Sequence, residues 1–181
     1  MFLLFKPNKM KDNKQNNGRR EFLKTGLLAA GSFFIVPRHV LGKGFTAPSD
    51  KLNLASIGAG GKGWSDILNA YNNGANNVVA LCDVDFNQAK RAAEKWPNAK
   101  KFTDFRVMFE QMKGQIDGVT ISAPDHIHGV AAMTAMQNGV HVYVQKPLTH
   151  NIYEARMLTE AARKYKIVSQ MGNQGASNPG Q

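Results

Sequence analysis

The sequence predicts an α/β fold, a doubly wound parallel sheet, and three observations predict it. Short apolar runs alternate with helically patterned segments between Lys51 and Gln170, the order that builds parallel sheets through right-handed crossovers. The first apolar run enters glycines spaced G-x-G-x-x-G, at Gly58, Gly60 and Gly63, with Gly61 between them. The second run ends in an acidic residue, Asp83, 20 positions beyond Gly63. The glycine spacing alone is a weak signal; a strand before it, a helix after it and an acid at that distance make it a strong one.

Taken in order, Lys51–Ile57 reads as the first strand and residues 62–72 as the first helix, with Trp64, Ile67, Leu68 and Tyr71 on one face. Asn72-Asn73-Gly74 stops that helix. Val78–Cys82 is continuously apolar, as in a strand buried on both faces of a parallel sheet. Asp85 can cap a helix over 86–96, broken by Pro97-Asn98. A short strand at Lys100–Phe102 leads through Thr103, a possible cap, into a helix over 104–112. Gly118–Ser122 is the fourth strand, and Asp125 can cap the helix that runs to Asn138-Gly139. His141–Val144 is the fifth strand, 152–166 the next helix and Ile167–Gln170 a sixth, apolar strand. The fold expected is therefore Rossmann-like over 50–170, with 1–49 a tail and linker. Residues 171–181 are expected to begin a second domain.

A chain of 181 residues, 43% hydrophobic and 20% charged, has the composition of a globular protein with one sizeable core. Its net charge of +10 is uneven: residues 1–50 carry nine Lys/Arg against three Asp/Glu, and the remainder fourteen against ten. The folded part thus lacks the dense basic face of a nucleic-acid binder. A lone cysteine, Cys82, excludes an internal disulfide and a cysteine zinc cluster, and reads as a buried small hydrophobe. Trp64, Trp96, Met133 and Met136 read as core.

Arg19-Arg20-Glu21-Phe22-Leu23-Lys24, followed by an apolar run from Thr25 to Val36, reads as an export signal, too short to span a bilayer that needs about 20 apolar residues. The order resembles the twin-arginine class, which carries folded proteins, with Gly18 where Ser or Thr is usual. Export to the periplasm or cell envelope through that machinery is expected, and a cytoplasmic location if the signal is inactive.

In such a sheet ligands bind beyond the carboxyl ends of the strands. Gly58 permits a tight turn, Gly60 leaves room for a pyrophosphate against backbone N–H groups, and Gly63 lets helix and strand approach. The helix amino terminus favours the phosphates. Asp83 can accept hydrogen bonds from the adenosine ribose hydroxyls and repels a 2′-phosphate, with Asp85 adding to the repulsion, so NAD is expected over NADP. His126 and His128 hint at metal or proton-relay chemistry, but two residues apart at a helix start they point in different directions and lack further ligands.

The glycine loop, the Cys82-Asp83-Val84-Asp85 strand end, the Pro124-Asp125-His126-Ile127-His128 turn and the Gln145-Lys146-Pro147-Leu148 turn together resemble the amino-terminal half of the Gfo/Idh/MocA family. Glucose–fructose oxidoreductase and inositol dehydrogenase belong to it. The resemblance covers about 51–175 and implies a nicotinamide-dependent dehydrogenase of sugars or cyclic polyols. It places the lysine of the family's Glu-Lys-Pro motif on Lys146, in contact with the nicotinamide ribose and the substrate hydroxyl. A lysine partly desolvated there is suited to acid/base work. Pro124, Asp125 and His128 fall near the cofactor by the same resemblance; capping and local hydrogen bonding are the alternative roles of Asp125 and His128. The chain departs from the pattern at Gln145, where glutamate is usual. The amide can still bond a ribose, and Gln145→Glu is expected to raise the apparent pKa in a pH–rate profile.

The resemblance further implies a second domain beyond the sixth strand that forms the substrate pocket and often the oligomer contact. The chain is therefore expected to be truncated and to turn over little alone. Two other readings stand beside the dehydrogenase: a redox-neutral glycoside hydrolase with tightly held NAD, and a non-catalytic nucleotide-binding fragment.

Overall fold

The computed structural model describes residues 50–177. The tail at 1–49, with its export-signal reading, lies outside the described residues. Six strands, β1 (Asn53–Ile57), β2 (Asn77–Cys82), β3 (Lys100–Phe102), β4 (Gly118–Ile121), β5 (His141–Gln145) and β6 (Ser169–Gly172), form one sheet in the order β3-β2-β1-β4-β5-β6. Every neighbouring pair is parallel. Between them run helices α1 (Gly61–Tyr71), α2 (Lys90–Lys95), α3 (Phe105–Gln111), α4 (Asp125–Gln137) and α5 (Ile152–Tyr165), with a short α6 (Gln174–Ser177) after β6. The chain winds outward from β1 to β3, then returns past β1 to β4. The crevice where winding reverses opens beyond the carboxyl ends of β1 and β4.

Helices cover both faces, as the continuous apolar strands require. On one face Ile67 of α1, Ala92 of α2 and Trp96 pack on Leu54, Val78 and Leu81. On the other, α3, α4 and α5 bring Phe105, Met108, Ala132, Met136 and Leu158 against Ile57, Ile121 and Val144. Three alanines of α4 (131, 132 and 135) are fully buried, so this helix lies close to the sheet. The β1–β2 register shifts between Leu54 and Ala55, leaving Val79 as an extra residue. That bulge puts Val79 and Ala80 on the same side of the strand, which simple alternation cannot do. Trp64 and Tyr71 meet Trp96 at ring-centroid distances of 5.6 and 5.5 Å, joining α1 to the end of α2.

Several boundaries differ from expectation for local reasons. The segment after Asp85 turns before it becomes helical: its carboxylate accepts from Asn87 N–H at 2.9 Å, and its carbonyl from Gln88 and Ala89 N–H. The regular helix therefore starts at Lys90, not at residue 86. Asp104, not Thr103, caps α3, accepting from Arg106 N–H at 2.8 Å. Asp125 caps nothing; Pro124 holds the cap position in an extended conformation, and Asp125 is the first helical residue, where its charge suits the helix dipole. Asn151 caps α5 through Glu154 N–H at 2.9 Å, while the Glu154 carboxylate reaches back to His150 N–H.

The last strand, β6, is displaced at both ends: it starts at Ser169 rather than Ile167, and it is exposed at three of its four residues. Lys166 adopts φ +55°, its N–H points to Arg163 O, and Ile167 N–H donates to Ala162 O at 2.9 Å. This is a Schellman cap, whose apolar contact is Ile167 itself, 9% exposed. The apolar residue that reads as a strand start belongs to the end of α5.

Candidate active site

Four loops meet at the carboxyl edge of the sheet. The loop after β1 begins at Gly58, with φ +75° and its N–H bonded to Cys82 O at 2.8 Å. A β-carbon on Gly58 would stand 2.7 Å from Ala123 N, so the loops after β1 and β4 touch backbone to backbone. One on Gly63 would fall 1.7 Å from Gly58 O, which accounts for the last glycine as a close packing of helix on loop. Gly60 has a further reason beside the expected one. Its missing side chain makes room for Gln88 O, 2.8 Å from where a β-carbon would be, rather than only for a ligand. The open position is Gly61, with φ +48° and nothing within 4 Å. It is the first residue of α1, where helix geometry leaves N–H groups to be met from outside the regular ladder; that of Gly63 is taken by Gly60 O at 2.8 Å. Open space beside a left-handed glycine at a helix amino terminus suits the pyrophosphate of a dinucleotide.

Asp83 ends β2 half-buried, and its carboxylate ties two loops together. Oδ2 accepts from Gly60 N–H at 3.1 Å, and Oδ1 from Asp85 N–H at 3.0 Å. Each oxygen keeps a second lone pair for a ribose hydroxyl. Beside it a cleft of about 350 Å³ runs between the ends of β1, β2, β3 and β4, walled by Asp83, Val84, Thr103, Arg106, Pro124 and His126. Gly58, Asp83 and Pro124 from the sequence reading thus share one cleft. Thr103 and Arg106 were missed: they follow β3, a three-residue strand whose end the carboxyl-edge rule marks equally. Arg106 is a cation on this wall, stacked 4.6 Å from the Phe105 ring centroid.

Cys82 lies under the same cleft, 3% exposed. Burial first, then the charges of Asp104 and Asp83, push its thiol from 9.0 up to about 12. The folded protein keeps a proton that the unfolded chain releases near pH 9. The stability from this source is whole below pH 9 and is lost as pH rises toward 12, by at most about 1.4 kcal/mol per pH unit. We expect Cys82 to resist iodoacetamide at pH 8 until urea unfolds the chain, and the urea midpoint to fall between pH 9 and 10.5. Rapid labelling of the native protein would contradict this.

The other end of the site is built from β4 and β5. His128, 1% exposed, faces two backbone carbonyls: Nδ1 is 2.6 Å from Pro147 O and Nε2 is 2.8 Å from Ala123 O. The ring joins the loop after β4 to the loop after β5, the local hydrogen-bonding role open to it in the sequence. His126 is exposed at the cleft and Asp125 is exposed at the start of α4. Gln145, 6% exposed, closes β5, and Lys146 follows it with an exposed side chain. Gln145 Nε2 donates to Asp66 Oδ2 at 3.0 Å, and its Oε1 accepts from Lys146 N–H at 3.0 Å. The sequence reading did not include Asp66; a helix position amid apolar neighbours carries no motif. Among the described residues no group of three or more His, Cys, Asp or Glu is placed to hold a metal ion.

A family model described as an oxidoreductase family with NAD-binding Rossmann fold, GFO_IDH_MocA, matches residues 52–173. D-glucoside 3-dehydrogenase of Escherichia coli (strain K12) is 32% identical over 119 residues, covering 64% of this chain and 33% of the relative. Glycosyl hydrolase family 109 protein 2 of Akkermansia muciniphila is 28% identical over 143 residues, covering 73% of this chain and 30% of the relative. The crystal structure of myo-inositol 2-dehydrogenase from Lactobacillus plantarum superposes with a TM-score of 0.63 at 24% identity, over 71% of this chain and 38% of that one. At that identity the likeness is one of fold. The chain spans about a third of the length of the curated relatives it matches.

Proposed function

Because the chain belongs to the GFO_IDH_MocA oxidoreductase family, whose fold binds NAD, we propose that the whole protein dehydrogenates a sugar or cyclic polyol, with Lys146 as its acid/base. The observation that carries this reading is the meeting of four strand ends: the open Gly61 cradle, Asp83, the Pro124 wall and the Lys146 turn all lie at one edge of one sheet. The similarity to a D-glucoside 3-dehydrogenase supports a sugar as substrate.

Bound NAD supplies the acceptor for a hydride leaving the substrate carbon. The chain's own residues do the rest. Asp83 takes the ribose hydroxyls and Gly61 admits the pyrophosphate, which fixes the cofactor lengthwise. Lys146 Nζ takes the hydroxyl proton as the C–H bond gives up its hydride, so that alcohol becomes carbonyl and the amine becomes ammonium. In reverse the ammonium returns the proton. His128 and Gln145 hold the backbone on either side of Lys146 while its side chain stays free to reach the substrate.

A specific observation favours a second reading. The Akkermansia relative is named a glycosyl hydrolase and matches more of the chain than the dehydrogenase does. If the protein is exported folded, as the Arg19-Arg20 segment leads us to propose, it leaves free NAD behind, and a retained cofactor suits either chemistry. The test starts with the full-length protein purified from the cell envelope and assayed for co-purifying NAD. It is then given a panel of polyols and aryl glycosides while NADH and released aglycone are followed. Accumulating NADH without aglycone supports the dehydrogenase; aglycone without net NADH transfers the assignment to the glycosidase. The absence of both products would remove the enzymatic reading.

A further inference from the structure

Asp66 sits in the middle of α1, one turn after Lys62, on the helix face that also buries Gly63 and Ile67. It is 6% exposed. A carboxylate in that position must be met by donors, and three arrive from three elements. The Lys62 ammonium pairs with Oδ1 from the same helix. Ser122 Oγ–H, just past β4, donates to Oδ2 at 2.7 Å, and Gln145 Nε2–H, the last residue of β5, donates to Oδ2 at 3.0 Å.

The Gln145 amide is therefore read by chemistry at both ends. A carboxylate only accepts, so Nε2 must face Asp66; a backbone N–H only donates, so Oε1 must face Lys146 N. The adjoining strand leaves room for this amide at Gly172, where a β-carbon would stand 3.1 Å from Gln145 Nε2. On the far side of the turn, His128 takes Pro147 O. We propose that Asp66 is a positioning residue for the Lys146 turn, acting through Gln145, and that the carboxylate at 66 and the amide at 145 are exchangeable only as a pair. This rests on the reading of Lys146 as the acid/base.

The pairing revises the effect expected of Gln145→Glu. A glutamate there would set its carboxylate about 3 Å from Asp66 Oδ2 and could not donate to it. Like charges at that distance in a buried site cannot both persist, so the turn must shift or one acid must hold a proton. With Asp66→Asn added, the asparagine can turn its carbonyl to Lys62 and its amide to residue 145. The bonds to residue 145 and to Ser122, both made by Oδ2 in the wild type, are then kept with their directions reversed, the Ser122 hydroxyl accepting instead of donating, and the negative charge lies next to Lys146.

The experiment compares the full-length wild type, Asp66→Asn, Gln145→Glu and the double variant. It measures thermal midpoints, NADH affinity by fluorescence titration, and the pH at which Lys146 is half acylated in trace labelling resolved by mass spectrometry. Each single substitution is expected to weaken NADH binding by about tenfold, the size of one broken buried hydrogen bond to a charged group. The double variant is expected to return to within about threefold of wild type and to raise the half-acylation pH of Lys146, which mere restoration of packing would not do. If a single variant fails to fold, folding of the double variant supports the pairing and its failure to fold overturns it. A Gln145→Glu protein that melts and binds NADH like wild type overturns it too, as does a double variant no better than the worse single. Because these readouts need no turnover, a wild type inactive on every sugar tested would count against the proposed reaction and leave this cycle to decide the pairing.

Discussion

Lys146→Met is expected to lower kcat of the full-length enzyme by about 10²–10⁴-fold, the usual contribution of a positioned acid/base, with little change in stability. Lys146 projects from a turn whose backbone is held by other groups, Gln145 on one side and His128 on the other. Its own side chain is exposed. Methionine keeps the length and flexibility of the stem and removes only the ammonium. The thermal midpoint should therefore stay within about 2 °C, as for an exposed substitution outside the packing. The informative measurement is single-turnover hydride transfer, followed by NADH absorbance across pH. The variant should lose the limb of the pH profile that reports a proton-accepting amine, while NADH still binds. A rate within about tenfold of wild type, with the profile unchanged, would remove Lys146 from the chemistry.

Gly63→Ala is expected to destabilise the fold by more than about 3 kcal/mol and to abolish dinucleotide binding. The added methyl would lie 1.7 Å from Gly58 O and 3.2 Å from Ser122 Cβ. Gly58 cannot retreat, because its own φ is +75° and its α-carbon already faces the Ala123 backbone. The overlap must therefore be relieved by lifting α1 from the sheet, which also withdraws its amino terminus and Asp66. Gly61→Ala is the matched comparison. It meets nothing within 4 Å, so its stability loss should be only the strain of a left-handed alanine, about 1–2 kcal/mol. Yet it faces the proposed pyrophosphate cradle, and its binding loss should exceed what its stability loss explains. Urea unfolding and NADH titration of both variants check this; equal stability losses would show that the loop is not packed as described.

Much of this architecture is legible in the residues. The central strands β1, β2, β4 and β5, the parallel pairing and the glycine-loop edge follow from apolar runs separated by helical spacing, because a strand buried on both faces admits few polar residues; the edge strands β3 and β6 are largely exposed and carry that signal weakly. The carboxyl-edge rule then leads to Asp83 and to the turns that hold Pro124, Gln145 and Lys146; the roles of those three residues come from the family resemblance. Boundaries were less legible where two local signals compete. Ile167 is apolar whether it opens a strand or closes a Schellman cap, and only the left-handed Lys166 before it decides. Thr103 and Asp104 are both good caps; the one whose carboxylate reaches Arg106 N–H takes the position.

The sequence by itself determined the fold class, the position of the ligand edge and the family motifs, because these depend on periodicity and on residue types at short spacing. It could not determine which glycine of the loop has room for a side chain and which has none. Gly60 and Gly61 are neighbours of identical chemistry, and only the approach of Gln88 from another loop separates them. Nor could it couple Asp66 to Gln145, 79 residues apart, or show that His128 bridges two loops. Those contacts exist because β1, β4 and β5 are adjacent in the sheet and α1 lies across them, and adjacency between distant segments is decided by tertiary packing alone.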